Sequence, residues 1–453
     1  MTRNYPHIIV AKFGGTSVAD FDAMSRSATL VLADKHVRLV VLSASAGVTN
    51  LLVELASGLE SRFRLDKIDT LRTLQYNIIS RLKQPEAVSQ AIDHLLNNIN
   101  RLAEQAADSR SDALCDELVS HGELMSSLLF VEVLRERNVE AQWFDARKVI
   151  RTDDTFGCAV PTISDIAELS EKHLRSRVEQ SLVVTQGFIG SDAAGHTTTL
   201  GRGGSDYTAS LLAEALQAAR VDIWTDVAGI YTTDPRIVAE AKRIDTLSFS
   251  EASEMATFGA KVLHPATLLP AMRKNIPVFV GASSNPSAGG TLVCRDVPEP
   301  SRYRALAVRR QQTLLKLSSI NARPTPHFLA EIFGILSRHE IATDLVTISE
   351  TSIALILNAT GSTSGEADTL NSALLSELSS HCRVEIETGL ALVSLIGNAL
   401  PHSPVVYKDI FAELEQHPVR MICHGASSHN LCFLLPAEFA ERAVKALHRK
   451  LLE

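Results

Sequence analysis

What this chain lacks narrows its chemistry first. Its six cysteines (Cys115, Cys158, Cys294, Cys382, Cys423 and Cys432) are scattered, with no Cys-x-x-Cys pair. That argues against a zinc knuckle or a disulfide framework and fits a reducing cytosol. No dense Lys/Arg run interrupts a formal net charge of −8, so no basic face for nucleic acid is expected. The opening residues Met1 to Pro6 lack the apolar core of a signal peptide, and no apolar run approaches membrane-spanning length. A cytoplasmic protein with neither nucleic-acid nor membrane partners is expected. At 453 residues it is too long for one core, and two or three domains follow.

What is present alternates. Short apolar runs, His7 to Phe13, Val37 to Ser43, Gln142 to Ile150, Leu182 to Ile189, Val221 to Thr225 and Ile276 to Val280, read as strands of a mostly parallel sheet covered on both faces. Helical patterns lie between them: Asp20 to Leu32, Leu65 to Leu82, Ala113 to Arg137, Ser205 to Arg220 and Ala260 to Lys274. The order predicts a three-layer α/β/α domain, with residues 59–109 as a helical flank or insertion. Gly, Pro and charged residues cluster between Gly289 and Arg302, and a domain boundary is expected there.

Beyond that boundary the sequence repeats itself. Ile332-Phe333-Gly334-Ile335-Leu336 returns as Ile410-Phe411-Ala412-Glu413-Leu414, roughly 78 residues on. The register holds without gaps from Leu314–Leu317 with Leu392–Leu395 to Ile353–Leu355 with Leu431–Phe433. Each copy reads strand, helix, strand, strand, helix, the order of a ferredoxin-like α+β unit.

Several loops carry chemistry. Lys12-Phe13-Gly14-Gly15-Thr16-Ser17 ends the first strand; paired glycines let backbone N–H groups approach phosphate oxygens, and Lys12 can neutralise a phosphoryl group. A plain strand-to-helix turn with a surface lysine would look the same, and the spacing is not that of a Walker loop. Ser43 to Asn50 follows the next strand in the same way, with Thr49 either at a ligand or capping a helix. In Thr199-Leu200-Gly201-Arg202-Gly203-Gly204-Ser205-Asp206, Arg202 offers a planar fork for a carboxylate, while Ser205 and Asp206 suit either a site or a helix cap. Thr225-Asp226-Val227-Ala228-Gly229-Ile230-Tyr231 and Asp234-Pro235-Arg236 could cover a base and reach phosphates, or form an ordinary surface loop. Lys261, in Gly259-Ala260-Lys261-Val262-Leu263-His264-Pro265, stands at an expected helix start. Glu123 lies inside an apolar helix, where its carboxylate could hold an ammonium group or be partly solvated. A nicotinamide-dependent dehydrogenase needs Gly-x-Gly-x-x-Gly after the first strand, and Gly14-Gly15 replaces it here.

Together, in this order, these motifs resemble the amino-acid kinase family, and within it the monofunctional, lysine-sensitive aspartate kinases. The resemblance spans the whole chain, since the repeat is similar to the tandem ACT domains of those enzymes. It implies a catalytic amino-acid kinase domain over residues 1–295 and a tandem ACT region over 303–453, split at about 313–385 and about 386–453, with strand exchange between the halves allowed. It implies ATP and Mg²⁺, L-aspartate as acceptor, feedback by L-lysine, and a homodimer or dimer of dimers. Lys12 would contact the moving phosphoryl and Asp206 would organise that lysine. Thr49, Glu123, Arg202 and Ser205 would bind aspartate. Gly14, Gly15, Thr225, Asp226, Tyr231, Arg236 and Lys261 would line the nucleotide site, with the metal held mainly by phosphates rather than by a protein cage. Phe328, Leu329, Asp344, Ser349 and Glu350 would form the effector site. One stretch, Asn321 to His327, departs from the lysine-sensitive type, with Ala322 where Met and His327 where Gly is expected.

Overall fold

Five consecutive residues, Ile9–Phe13, form a strand (β1) buried along its whole length, Lys12 included. A strand buried on both faces must be covered by helices on each side, and the chain supplies them. The structure, a computed structural model, describes residues 7–259, 262–297, 301–320, 325–339, 341, 343–357, 370–400, 404–425 and 427–453. It divides into two compact units. The first comprises Met1–Ile230, Arg243–Ala256 and Lys261–Pro298; the second comprises Tyr231–Lys242, Thr257–Ala260 and Glu299–Glu453.

The first unit is built on an eight-stranded sheet. Besides β1 it contains β2 (Val37–Leu42), β3 (Ala141–Phe144), β4 (Leu182–Gln186), β7 (Arg220–Thr225), β8 (Thr246–Ser248), β9 (Val278–Ala282) and β10 (Gly290–Cys294), in the order β3-β4-β2-β1-β7-β9-β10-β8. Only the β9–β10 pairing is antiparallel. A separate ribbon pairs β5 (Ile189–Ser191) with β6 (Thr197–Thr199). The helices in chain order are α1 (Phe21–Ala33), α2 (Val48–Ala56), α3 (Ser61–Ile79), α4 (Glu86–Asp108), α5 (Asp112–Arg135), α6 (Ile163–His173), α7 (Arg175–Gln180), α8 (Gly204–Leu216), α9 (Phe249–Phe258) and α10 (Pro265–Lys274). Asp20 caps α1 by accepting from the Ala23 N–H at 2.8 Å. Ile68, Leu71, Ile92 and Leu96 of α3 and α4 share one core with Phe13, Val40 and Phe130, so residues 59–109 are a flank of this domain.

Several expected elements are shorter in the structure, among them the helix foreseen over Ser205–Arg220, which ends at Leu216 where Gln217 turns left-handed at φ 51°. The strand foreseen over Gln142–Ile150 stops at Phe144, because the Asp145 carboxylate accepts from the Arg147 N–H at 3.1 Å and starts a 3-10 turn. The strand foreseen over Leu182–Ile189 breaks after Gln186, where Phe188 adopts φ 70° and the chain swings into β5. The helix foreseen over Ala260–Lys274 starts at Pro265 behind the cap His264, and Ala260 and Lys261 lie outside the described residues.

The second unit is one six-stranded antiparallel sheet. Its strands are β11 (Tyr303–Ser319), β12 (Thr343–Ile348), β13 (Ser352–Leu357), β14 (Cys382–Gly397), β15 (Met421–His424) and β16 (Asn430–Pro436), ordered β12-β13-β11-β14-β16-β15. Helices α11 (Thr325–Arg338), α12 (Ser372–His381), α13 (Pro404–Leu414) and α14 (Ala437–Leu451) cover it. The two long strands bulge together: Gln311 takes φ 58° and Gly389 takes φ 71°, on either side of the Gln312–Leu390 pair. Two cores result. Leu315 and Leu317 pack with α11 and α12, whereas Leu306, from the other half of the same strand, packs with Val393, Ile410, Phe433 and Val444. Each ferredoxin-like unit therefore uses half of β11 and half of β14. Among the described residues no helix is long and apolar enough to cross a membrane.

Candidate active site

In a parallel sheet every strand delivers its following loop to the same edge, and a ligand collects there. The loops after β1, β2 and β7 are stitched together at that edge. Gly14 N–H donates to the Trp224 carbonyl at 3.0 Å, Ala46 N–H to the Gly15 carbonyl at 3.1 Å, and Ser283 N–H, just after β9, to the Thr225 carbonyl at 3.0 Å. A Cβ at Gly15 would lie 2.9 Å from the Ala44 carbonyl oxygen, so the first two loops pass too closely for any side chain there.

Lys12 is 7% exposed, and its Nζ lies 2.6 Å from Oδ1 of Asp206 in the first turn of α8. Buried ammonium needs a counter-charge, and this pairing fixes the lysine at the strand end. The cap of α8 is Gly203 at φ 75°, not Ser205 or Asp206, which leaves both side chains in the first turn. A Cβ on Gly203 would fall 2.5 Å from the His264 Cβ, so the tight turn requires glycine. Arg202, exposed at the tip of that turn, and Asp206 both act on His264, whose imidazole is held below its ordinary value by burial first and then by the Arg202 charge, against the pull of Asp206. Ser205 is buried, and a Cβ on Gly187 would meet it at 2.5 Å.

Glu123, on α5, is 3% exposed, and one of its oxygens accepts from the Ala44 N–H at 3.0 Å. Its other oxygen has no hydrogen-bond partner among the described residues. Burial pushes the carboxyl up to about 8, against the opposing pull of the Ala44 N–H and the Lys12 charge. A buried acceptor with a free oxygen is a vacancy for a donor. Thr49 is the second residue of α2, whose cap is Gly47, so it does not cap that helix. Thr225 Oγ1 donates to Asp226 at 3.1 Å.

The remaining candidates belong to the second unit or lie outside the described residues. Tyr231 and Arg236 belong to the second unit, where the exposed Arg236 pairs with Asp234 at 2.6 Å. Lys261 lies outside the described residues. Among the effector candidates, Phe328 is buried in the core with Ile332 and Leu355, and Leu329 packs against the same cluster. Asp344 on β12 pairs with Arg309, which also bonds Gln312 at 3.0 Å. Ser349 and Ser352 share a 2.6 Å hydroxyl contact in the turn that holds the exposed Glu350. Residues 321–324 of the departing stretch are outside the described residues, and Pro326 and His327 are exposed.

Sequence reasoning missed Asp116. Its buried carboxylate accepts from Gly157 N–H at 2.9 Å, from Thr199 N–H at 2.8 Å and from Thr199 Oγ1 at 2.8 Å. Burial raises its pKa against these bonds. A signal existed: Asp116 precedes Glu123 by two helical turns on an apolar helix and so shares its face. His264 was quoted in a motif and given no role.

A three-layer fold, a lysine–aspartate pair at a glycine-lined strand edge and a C-terminal ferredoxin-like pair define a class. Residues 7–282 match the amino acid kinase family and residues 393–451 match an ACT domain. The chain belongs to the amino acid kinase family. Over 446 residues it is 64% identical to lysine-sensitive aspartokinase 3 of Escherichia coli (strain K12), spanning 98% of this chain and 99% of that one. Two solved structures of Escherichia coli aspartokinase III, each 63% identical, are also similar. The complex with aspartate and ADP (R-state) has a TM-score of 0.93, covering 98% of this chain and 100% of its own; the complex with lysine and aspartate (T-state) has 0.84, covering 99% and 100%.

Proposed function

We propose that this chain is an aspartate kinase that transfers the γ-phosphoryl group of ATP to the β-carboxylate of L-aspartate, giving 4-phospho-L-aspartate and ADP, under feedback by L-lysine. The observation that carries the reading is the buried Lys12–Asp206 pair at the glycine-lined end of β1, beside Glu123 with its unpartnered oxygen. The near-full-length identity to a lysine-sensitive aspartokinase supports acceptor and effector alike. The protein works as a homodimer or dimer of dimers in the cytoplasm, where its six free thiols stay reduced.

The chemistry explains the residues. Aspartate's side-chain carboxylate is ionised near neutral pH, so no general base is needed. The barrier is repulsion between an anionic nucleophile and an anionic phosphate. Lys12 and the Gly15 N–H stabilise the charge on the phosphoryl oxygens while the new bond to the carboxylate oxygen forms and the bond to ADP breaks, and Gly14, whose own N–H is held by the Trp224 carbonyl, lines the site. Asp206 holds Lys12 in line. Glu123 takes the substrate ammonium, Arg202 the α-carboxylate, and Thr49 and Ser205 the remaining polar groups. Thr225, Asp226, Tyr231, Arg236 and Lys261 hold the nucleotide. Asp344, Glu350, Ser349, Phe328 and Leu329 form the lysine site.

Among the described residues no cluster of three or more His, Cys, Asp or Glu could cage a metal. Asp206 pairs with Lys12, and Glu123 lies within reach of that lysine's charge. Such a donor set would fit Mg²⁺ carried mainly by phosphate oxygens and water rather than by a protein cage. When bound with the nucleotide, Mg²⁺ supplies further neutralisation of phosphate charge. A steady-state assay of ADP release with aspartate and MgATP tests the reading, repeated with lysine, threonine and methionine. Turnover with aspartate that lysine suppresses is expected; a folded protein that releases no ADP with aspartate refutes it.

A further inference from the structure

The segment Tyr231–Lys242 lies in sequence between two stretches of the first unit, yet it packs within the second. Its base is closed on itself: Thr232 N–H donates to the Lys242 carbonyl at 2.8 Å, and Lys242 N–H donates to Thr232 Oγ1 at 3.0 Å. Three contacts then tie that base to the C-terminal unit. Leu306 N–H, on β11, donates to the Thr232 carbonyl at 2.7 Å. Val238 is 4% exposed and joins the core formed by Leu306, Val444 and Leu447. Thr232 Oγ1 also lies 2.9 Å from Nε2 of His448, a fully buried imidazole in the last turn of α14.

The donors and acceptors sort themselves. Oε1 of Glu453, a carboxylate oxygen, only accepts, so Nδ1, 3.2 Å from it, carries the hydrogen of the neutral imidazole. Nε2 is then the acceptor, and the Thr232 hydroxyl, which accepts from Lys242 N–H, gives its own hydrogen to it. The chain Lys242 N–H to Thr232 to His448 to Glu453 has one direction and each member is used. A buried imidazole wired in this way holds a defined position, and a loop end held by it inherits that position.

We propose that His448 is a positioning residue for the nucleotide: through the Thr232 hydroxyl, the last helix of the regulatory unit fixes the segment that presents Tyr231 and Arg236 to ATP. This rests on the assignment of those two residues to the nucleotide. The aspartate pocket, built from α5, α8 and the β1 and β2 loops, uses none of these contacts. The device therefore acts on ATP affinity and leaves aspartate affinity alone.

The test is kinetic and calorimetric on the full chain. Thr232→Val keeps the shape and removes the hydroxyl. It should raise KM for ATP and the ADP dissociation constant roughly tenfold, with KM for aspartate and kcat within about twofold. Thr232→Ser should restore both nucleotide constants. His448→Gln should weaken ADP similarly, and the double variant with Thr232→Val should be no worse than either single one, because the two groups act as one link. Unchanged nucleotide constants in Thr232→Val, with Tyr231→Ala and Arg236→Ala raising them, would overturn the tether while leaving the nucleotide assignment intact. Unchanged constants in Tyr231→Ala and Arg236→Ala would remove the assignment and the tether with it. Equal weakening of aspartate and ATP in Thr232→Val would reduce the contact to general stability and also overturn the proposal.

Discussion

Glu123 carries a conflict between stability and substrate binding. Its carboxyl, ordinarily near 4.5, stands at about 8 because of burial. Between those values the folded protein holds a proton that the unfolded chain has lost, so the group's contribution to stability falls as pH climbs from 4.5 to 8 and levels off above 8. Glu123→Gln, which has no proton to lose, should remove that slope. The variant should melt higher than the wild type at pH 8 and match it near pH 4.5, by an amount on the order of a few kcal/mol. Thermal melts across that range check the sign. The same variant should lose aspartate affinity, since a neutral amide no longer neutralises the substrate ammonium. Binding aspartate must also expel Glu123's proton, so calorimetry in buffers of different ionisation enthalpy should record proton release at pH 7 that fades above 8. Lys12 carries the proposed chemistry rather than substrate binding. Lys12→Ala should keep the circular dichroism spectrum and lower kcat by about a hundredfold or more, because phosphoryl charge goes unneutralised; near-normal turnover would remove Lys12 from the centre.

At the scale of elements, α5 and the β5–β6 ribbon show how a remote carboxylate can set a binding loop. Asp116 anchors Thr199, the last residue of β6 and three positions before Arg202. Asp116→Ala leaves the buried Thr199 N–H, and the more exposed Gly157 N–H, without their acceptor and should cost about 1–3 kcal/mol of stability. It should raise KM for aspartate roughly tenfold through a loosened Arg202 turn, with KM for ATP unchanged. Asp116→Asn should behave nearly as the wild type, since its one oxygen can accept both N–H groups while the Thr199 hydroxyl turns round to accept from the amide. Equal effects of Ala and Asn would point to charge rather than hydrogen bonding. The glycine loops and Lys12 were legible in sequence because strand ends and paired glycines are local signals. So was the repeat, with β12 and β15, and β13 and β16, starting at the offset seen in the sequence. The Glu123–Ala44 and Asp116–Thr199 bonds were not legible, since each joins residues about 80 positions apart and no local pattern encodes a long-range partner. The break at Phe188 escaped for another reason: a non-glycine residue there takes a left-handed backbone that its type does not announce.

Over the whole chain, sequence order and spatial grouping part company. Tyr231–Lys242 and Thr257–Ala260 precede the Gly/Pro-rich stretch near residues 289–302, yet both group with the C-terminal unit. The second of these brings Thr257 to β11: its carbonyl accepts from Arg309 at 3.4 Å, and the Arg309 guanidinium also pairs with Asp344. Asp344 is one of the two carboxylates in the proposed lysine site, where the Arg309 guanidinium would compete with a lysine ammonium for it. Competition of this kind sets the effector's apparent affinity, because any free energy holding Arg309 on Asp344 is subtracted from lysine binding. Arg309→Gln retains a donor for the Thr257 carbonyl while removing the charge, so lysine should inhibit at roughly tenfold lower concentration. Asp344→Asn should instead abolish most of the response to lysine at unchanged kcat. A dose–response curve for each variant decides the matter: if Arg309→Gln responds to lysine as the wild type does, the guanidinium and the ammonium do not compete for one carboxylate, and Asp344 must be removed from the effector site.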